Sequence, residues 1–212
     1  MRRNRFPMGT GIVLLLGIGI VFGGGLVSTV VAQEKTQPEK ISPEMEAYVS
    51  EYMKTIKLTE HHKHLSRFIG TWNAEVKSWV APNKPPVTSK GSAVVKSIYG
   101  GRYTMMTFKG FFAGMPFEGL NISTYNTLKK EYEALWVDSM SSWLYVARGH
   151  CDGTGRRTEY RGTYRDPVSR ETVKVREVFE SLDQDTFRME YFETHGDQEV
   201  KIMEITYHRV KD

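Results

Sequence analysis

Hydrophobic residues recur along the chain with two different periods. Met45, Tyr48, Val49, Tyr52, Met53 and Ile56 fall three or four residues apart, which predicts a helix with one apolar stripe. Ser42 suits its N-cap and Pro43 its first turn. Such a stripe wants a surface to cover, so the helix is expected to pack on the outside of the following domain or over its open end. Glu44, Glu46 and Glu51 disfavour a membrane-surface role. A shorter helical segment, Glu60 to Ile69, is expected after Thr59, with Leu65, Phe68 and Ile69 turned inward.

From Trp72 the period becomes two. Trp72, Ala74, Val76, Ser78 and Val80 alternate with Asn73, Glu75, Lys77 and Trp79, which places the first set on an inner face. After this first strand, further strands are expected over 91–99, 102–109, 117–125, 131–138, 143–150, 156–164, 172–179, 186–194 and 199–210, giving ten in all. Gly100-Gly101, Asn126 to Lys130, Asp152-Gly153, Asp166-Pro167 and His195-Gly196-Asp197 supply turn chemistry between them. Short joints make successive strands antiparallel neighbours. So many strands without a second run of helices lower their free energy by closing and leaving no bare edge. The expected architecture is mainly β: one antiparallel up-and-down barrel of about ten strands, with the preceding short helix capping one mouth.

The joint Gly110 to Gly119 is glycine-rich yet contains Phe111, Phe112 and Phe117, which a solvated loop would leave exposed. It is expected to fold back on the barrel rim, with a lid over the lumen as the functional alternative.

The first 32 residues read as an address. Arg2, Arg3 and Arg5 precede an uncharged run from Met8 to Ala32 that ends in small residues before Gln33-Glu34-Lys35. The expected organisation is a signal peptide or N-terminal anchor over 1–32, a flexible tether over 33–41, the amphipathic helix over 42–58 and the barrel domain over 59–212. The protein is therefore expected to be exported to the periplasm or beyond, or held at the inner membrane facing the periplasm by an uncleaved leader. The leader carries three Arg and no acid, so the remaining 26 basic residues against 25 acidic ones leave about +1, and nucleic-acid binding loses its support. Cys151 is the sole cysteine, so no intrachain disulfide forms and the core alone must hold the domain.

Candidate chemistry is sparse. His61, His62 and His64 invite a metal reading, but no third ligand follows at suitable spacing, and a structural or capping role is expected, with no metal. On the 131–138 strand, parity places Tyr132, Ala134, Trp136 and Asp138 on one face. An Asp sharing a face with aromatics, together with Arg102, Phe117 and Glu118, makes a candidate ligand-binding set; the structural alternative is an ion pair tying strands together. No nucleophile elbow, phosphate loop or Ser/His/Asp arrangement appears. Three readings remain open: a barrel binding a small, partly apolar molecule in its lumen, an enzyme of the same fold using Asp138 or Glu118 as acid/base, and a non-catalytic envelope module that makes contact through the 45–56 helix. No cofactor is expected.

Gly70-x-Trp72 at the mouth of a first strand, with Arg209 ending the last, resembles the closure of lipocalin-like and fatty-acid-binding-like barrels. Several spaced motifs also match one bacterial family: His62-x-x-Leu65-x-x-Phe68-x-Gly70-x-Trp72, Gly100-Gly101-Arg102, Pro116-Phe117-Glu118-Gly119, Tyr132-x-x-x-Trp136-Val137-Asp138-Ser139-Met140 and Met203 to Arg209. On these the chain resembles domain of unknown function 1579 from about Glu60 to Arg209, which implies a lipocalin-like barrel and no established reaction. It departs from the family at Asn126, where an aspartate often follows the tyrosine. Wider kin resembling nitrobindin hold haem through a histidine. That feature does not carry over, because a last strand that turns Arg209, Tyr207, Ile205 and Met203 inward turns His208 out.

Overall fold

The computed structural model of the protein describes residues 41–81 and 84–211. The expected leader over 1–32, and the tether over 33–41 apart from its last residue, lie outside the described residues. Two helices, α1 (Pro43–Thr55) and α2 (Glu60–Ser66), precede ten strands. These are β1 (Gly70–Ser78), β2 (Val87–Ile98), β3 (Tyr103–Phe112), β4 (Met115–Asn126), β5 (Glu131–Asp138), β6 (Tyr145–Cys151), β7 (Arg157–Arg165), β8 (Thr172–Ser181), β9 (Thr186–His195) and β10 (Gln198–Arg209). Each strand pairs with the next, and β1 pairs antiparallel with β10, which closes the barrel.

Closure is sealed at the start of β1. Trp72 lies directly across from Arg209, whose guanidinium sits 4.0 Å from the indole ring centroid. The same guanidinium donates to the carbonyls of Arg67 (3.0 Å), Ile69 (2.7 Å) and Gln184 (3.3 Å). One side chain thus ties the α2 exit, the β8–β9 joint and the final strand together. The indole N–H donates to the Phe68 carbonyl at 2.8 Å, and Phe187 packs edge-on against the ring at 4.7 Å. Gly70 makes room for this contact, since a Cβ there would collide with the Arg209 guanidinium and its φ of 142° disfavours any side chain.

The alternation along β1 and β10 fills the barrel wall from inside: Trp72, Ala74, Val76, Ile205 and Tyr207 are buried while His208 is exposed. The core divides into a larger cluster around Trp72, Phe108, Phe187 and Tyr207, and a smaller one of Leu65, Tyr132, Ala147 and Tyr160 beneath α2.

Two expectations are corrected. Residues 110–117 are not a separate loop. The ladder runs on through Phe111–Pro116 and Phe112–Met115, because Ala113 (φ 49°) and Gly114 (φ 82°) form a two-residue turn whose positive φ values match the strand twist. Nor does α1 bury its stripe. None of its residues is buried, and among the described residues it is tied at its C-terminal end, where Thr127 Oγ1 donates to the Thr55 carbonyl (2.7 Å) and Arg102 to the Ile56 carbonyl (2.6 Å). Tyr48 and Tyr52 stack on each other at 6.3 Å instead. Among the described residues no helix is long and apolar enough to cross a membrane.

Candidate functional site

α2 leads straight into β1, so the barrel end nearest it is the capped one. His62 Nδ1 accepts the Thr59 backbone N–H at 3.1 Å, capping the helix. His61 and His64 both direct Nδ1 at the Tyr132 hydroxyl, at 2.9 and 3.1 Å, and His61 stacks on Tyr125 at 3.9 Å. The histidines therefore bolt the helix onto the barrel. Burial, with the Arg102 charge second, lowers the His62 pKa, and burial, with the Arg67 charge second, lowers that of His64, so both favour the neutral ring. Among the described residues no cluster of His, Cys, Asp or Glu is arranged to hold a metal ion.

Beneath α2 lies a small cavity of about 50 Å³, lined by Leu65, Phe68, Asn121, Ser123 and Tyr160 among others. The remaining lumen, toward the opposite end, is a chamber of about 320 Å³. Phe108, Phe112, Phe117, Trp136, Tyr191 and Tyr207 form much of its wall, while Asn121, Ala134 and Phe179 are shared with the smaller cavity. The chamber is of a size to take a small organic molecule. At its mouth the β3–β4 hairpin carries Phe111 and Phe112, both more than half exposed. Phe112 and Phe117 lie 6.4 Å apart, and Phe117 stacks on Trp136 at 6.3 Å.

Trp136 is held in place from two sides. Its indole N–H donates to Asp138 Oδ2 at 2.9 Å, while Asp138 Oδ1 accepts the Met140 backbone N–H at 2.9 Å. Gly119, across from Asp138, leaves the space that the ring occupies, because a Cβ there would fall on the indole. Gly119→Ala is accordingly expected to push Trp136 toward the chamber and to cost about 1–3 kcal/mol of stability. Chemical denaturation followed by tryptophan fluorescence checks this.

A second acid of the chamber is Glu177 on β8. It follows Val173 and Val175 and precedes Phe179 on the inner face, and it lines the chamber. Desolvation pushes its pKa from 4.5 up to about 7, and the facing Tyr145 hydroxyl lowers it only in part. The Tyr145 hydroxyl comes near without closing a hydrogen bond, and is itself buried and unpartnered. Among the described residues no Lys, Arg or His pairs with Glu177. Burial first, and the Glu177 charge second, raise the pKa values of Tyr145, Tyr191 and Tyr207.

The structure brings together three of the six residues that the sequence singles out for ligand binding. Phe117, Trp136 and Asp138 line the chamber. Arg102, Glu118 and Tyr132 do not. Arg102 is spent on the Ile56 carbonyl at the capped end. Glu118 points outward and pairs with Lys109 at 2.8 Å, because it has the opposite parity to Phe117 and Gly119. Tyr132 is buried under the α2 histidines. Glu177 lies in the chamber without standing out locally, yet its signal is legible: an acid on the apolar parity of Val173-x-Val175-x-Glu177-x-Phe179.

Solved structures similar to this chain share its barrel. Rv2717c from M. tuberculosis superposes with a TM-score of 0.52 at 15% identity, over 73% of this chain and 100% of that one. The S-type phycobiliprotein lyase CPES from Guillardia theta gives a TM-score of 0.52 at 11% identity, over 76% of this chain and 98% of that one. At such identities the likeness speaks for the fold alone. A comparison with curated proteins returned no match. Residues 57–209 match the family described as Protein of unknown function (DUF1579), and the chain belongs to that family.

Proposed function

We propose that the protein is exported and that its barrel binds a small, largely apolar molecule in the lumen. The observation that carries the binding reading is the chamber of about 320 Å³, walled by aromatics and holding at Glu177 an acid with no cationic partner among the described residues. A wall packed solid would have argued for a scaffold. Apolar burial supplies the affinity, and one unpaired polar group fixes the ligand's orientation. The composition of residues 1–32 supports export. The likeness to the phycobiliprotein lyase is compatible with this reading and extends only to shape.

A second reading has its own observation. Glu177, poised to gain or lose a proton near pH 7, suits a general acid or base in a water-poor chamber. Asp138 and Glu118 do not fill that role. Both Asp138 oxygens are engaged with Trp136 and Met140, and Glu118 is outside the barrel.

Ala134 lines both cavities, so Ala134→Phe plugs the lumen while leaving the outer surface intact. Titration with the neutral dye N-phenyl-1-naphthylamine is expected to saturate at one site per chain and to weaken about tenfold or more in the variant. Dye binding unchanged by the plug, as from the exposed α1 stripe, contradicts the lumen reading.

A further inference from the structure

We propose that the chamber's ligand is an organic cation, an amine with a compact apolar body whose ammonium group meets the Glu177 carboxylate. This rests on the reading of the lumen as a binding chamber and adds the sign of the ligand's charge. Two acids, Asp138 and Glu177, line the chamber, and among the described residues no Lys, Arg or His does. Asp138 is satisfied internally by the Trp136 indole and the Met140 N–H. Neither acid has a cation beside it among the described residues, and Glu177, unlike Asp138, is not closed by hydrogen bonds either.

An anionic ligand would bring a second negative charge against that carboxylate with no cation to offset it, at a cost that grows in a low-dielectric lumen. A cation completes an ion pair, and the tyrosine, phenylalanine and tryptophan faces around it add cation–π attraction. The Tyr145 hydroxyl, unpartnered beside Glu177, can donate to the ionised carboxylate.

Among the described residues, the groups that face Glu177 include no cation. They are Tyr145 from β6, Tyr160 and Tyr164 from β7, Tyr191 and Glu193 from β9, Tyr207 from β10 and, across the chamber, Asp138 from β5. The Tyr164 hydroxyl donates to Glu193 Oε1 at 2.8 Å, and Glu193 Oε2 meets His195 Nε2 at 2.9 Å, so that acid is already partnered. With no cation beside it, Glu177 holds its proton below about pH 7. An arriving ammonium favours the ionised form, so binding at pH 6 releases a proton to solvent and affinity rises from pH 5 to pH 8.

The test is calorimetric titration of the full chain with three molecules that share one body: 4-phenylbutylamine, 4-phenylbutan-1-ol and 4-phenylbutyrate. At pH 8 the amine is expected to bind about tenfold or more tighter than either of the others, the scale of one charge-assisted contact. At pH 6 its binding enthalpy is expected to depend on the ionisation enthalpy of the buffer, reporting the released proton. Glu177→Gln, with its fold checked by circular dichroism, is expected to abolish both the preference and the proton release. Should that variant fail to fold, the wild-type buffer dependence and three-ligand ranking decide alone. Equal binding of amine and alcohol, or tighter binding of the carboxylate, overturns the cation assignment and leaves the chamber reading standing. Binding of none of the three also overturns it, and a failed dye titration alongside removes the chamber reading as well.

Discussion

Trp72→Ala is expected to be the most damaging single substitution in the barrel wall. The indole is 2% exposed and stands at the seam where the first and last strands meet. Removing it empties a site walled by Phe187, deprives the Phe68 carbonyl of its donor and takes away the ring beneath the Arg209 guanidinium. A truncation of this kind in a packed core costs about 3–5 kcal/mol. In a domain of this size that lowers the melting temperature by on the order of 10 °C. The loss falls on the step that makes a barrel out of a sheet, because a weakened β1–β10 seam exposes two edges at once. Thermal denaturation followed by far-UV circular dichroism measures the effect. A shift of only a degree or two means that the seam is held by its backbone ladder and that the cation–π clamp is incidental.

Glu177→Gln is expected to stabilise the protein, and by an amount that depends on pH. The folded-state pKa of about 7 stands above the ordinary 4.5. Below about pH 4.5 the carboxyl is protonated in both the folded and the unfolded chain, and it makes no pH-dependent difference. Between there and pH 7 the unfolded chain ionises first, so stability falls as pH rises; above pH 7 the loss is complete. The shift corresponds to about 3 kcal/mol. Glutamine has no proton to lose and removes this dependence. The difference in unfolding free energy between variant and wild type is therefore expected to widen in the variant's favour from pH 4.5 to pH 8. Acids held below their ordinary range by ion pairs, such as Glu133 beside Lys129 and Glu204 beside Lys201, give the opposite slope, but they are common to both proteins and cancel in the difference. A gap that stays constant with pH shows that Glu177 titrates as an exposed acid does.

Much of this architecture is written in local pattern. Period-two alternation from Trp72 onward, punctuated by glycine and asparagine turns, places all ten strands, with boundaries that differ from the structure by a few residues. The β5 limits coincide with expectation, since polar turns flank that strand on both sides. The pattern misreads the β3–β4 hairpin because Ala113-Gly114, a turn of two residues, carries little sequence signal among the phenylalanines around it. It also misjudges α1, where an apolar stripe predicts a covering surface and sequence periodicity cannot say whether the barrel provides one.

The site is harder to read, because its members come from strands far apart in the chain. Parity locates Trp136 and Asp138 correctly on an inner face, yet Asp138 proves to be the indole's partner and therefore structural. Arg102 and Glu118 look available in sequence because nothing local shows the carbonyl or lysine that each one meets. Glu177 carries the clearest hidden clue, an acid in register with valines and a phenylalanine. Its isolation becomes visible only when the neighbouring strands bring tyrosines around it and no cation.

The most direct test follows the Glu177 side-chain carboxyl by carbon-13 NMR across pH 4 to 9, in the ligand-free protein and in the presence of saturating 4-phenylbutylamine. A midpoint near 7 in the free protein that falls when the amine is bound is the predicted result. A midpoint in the ordinary carboxylate range, unchanged by the amine, contradicts the account.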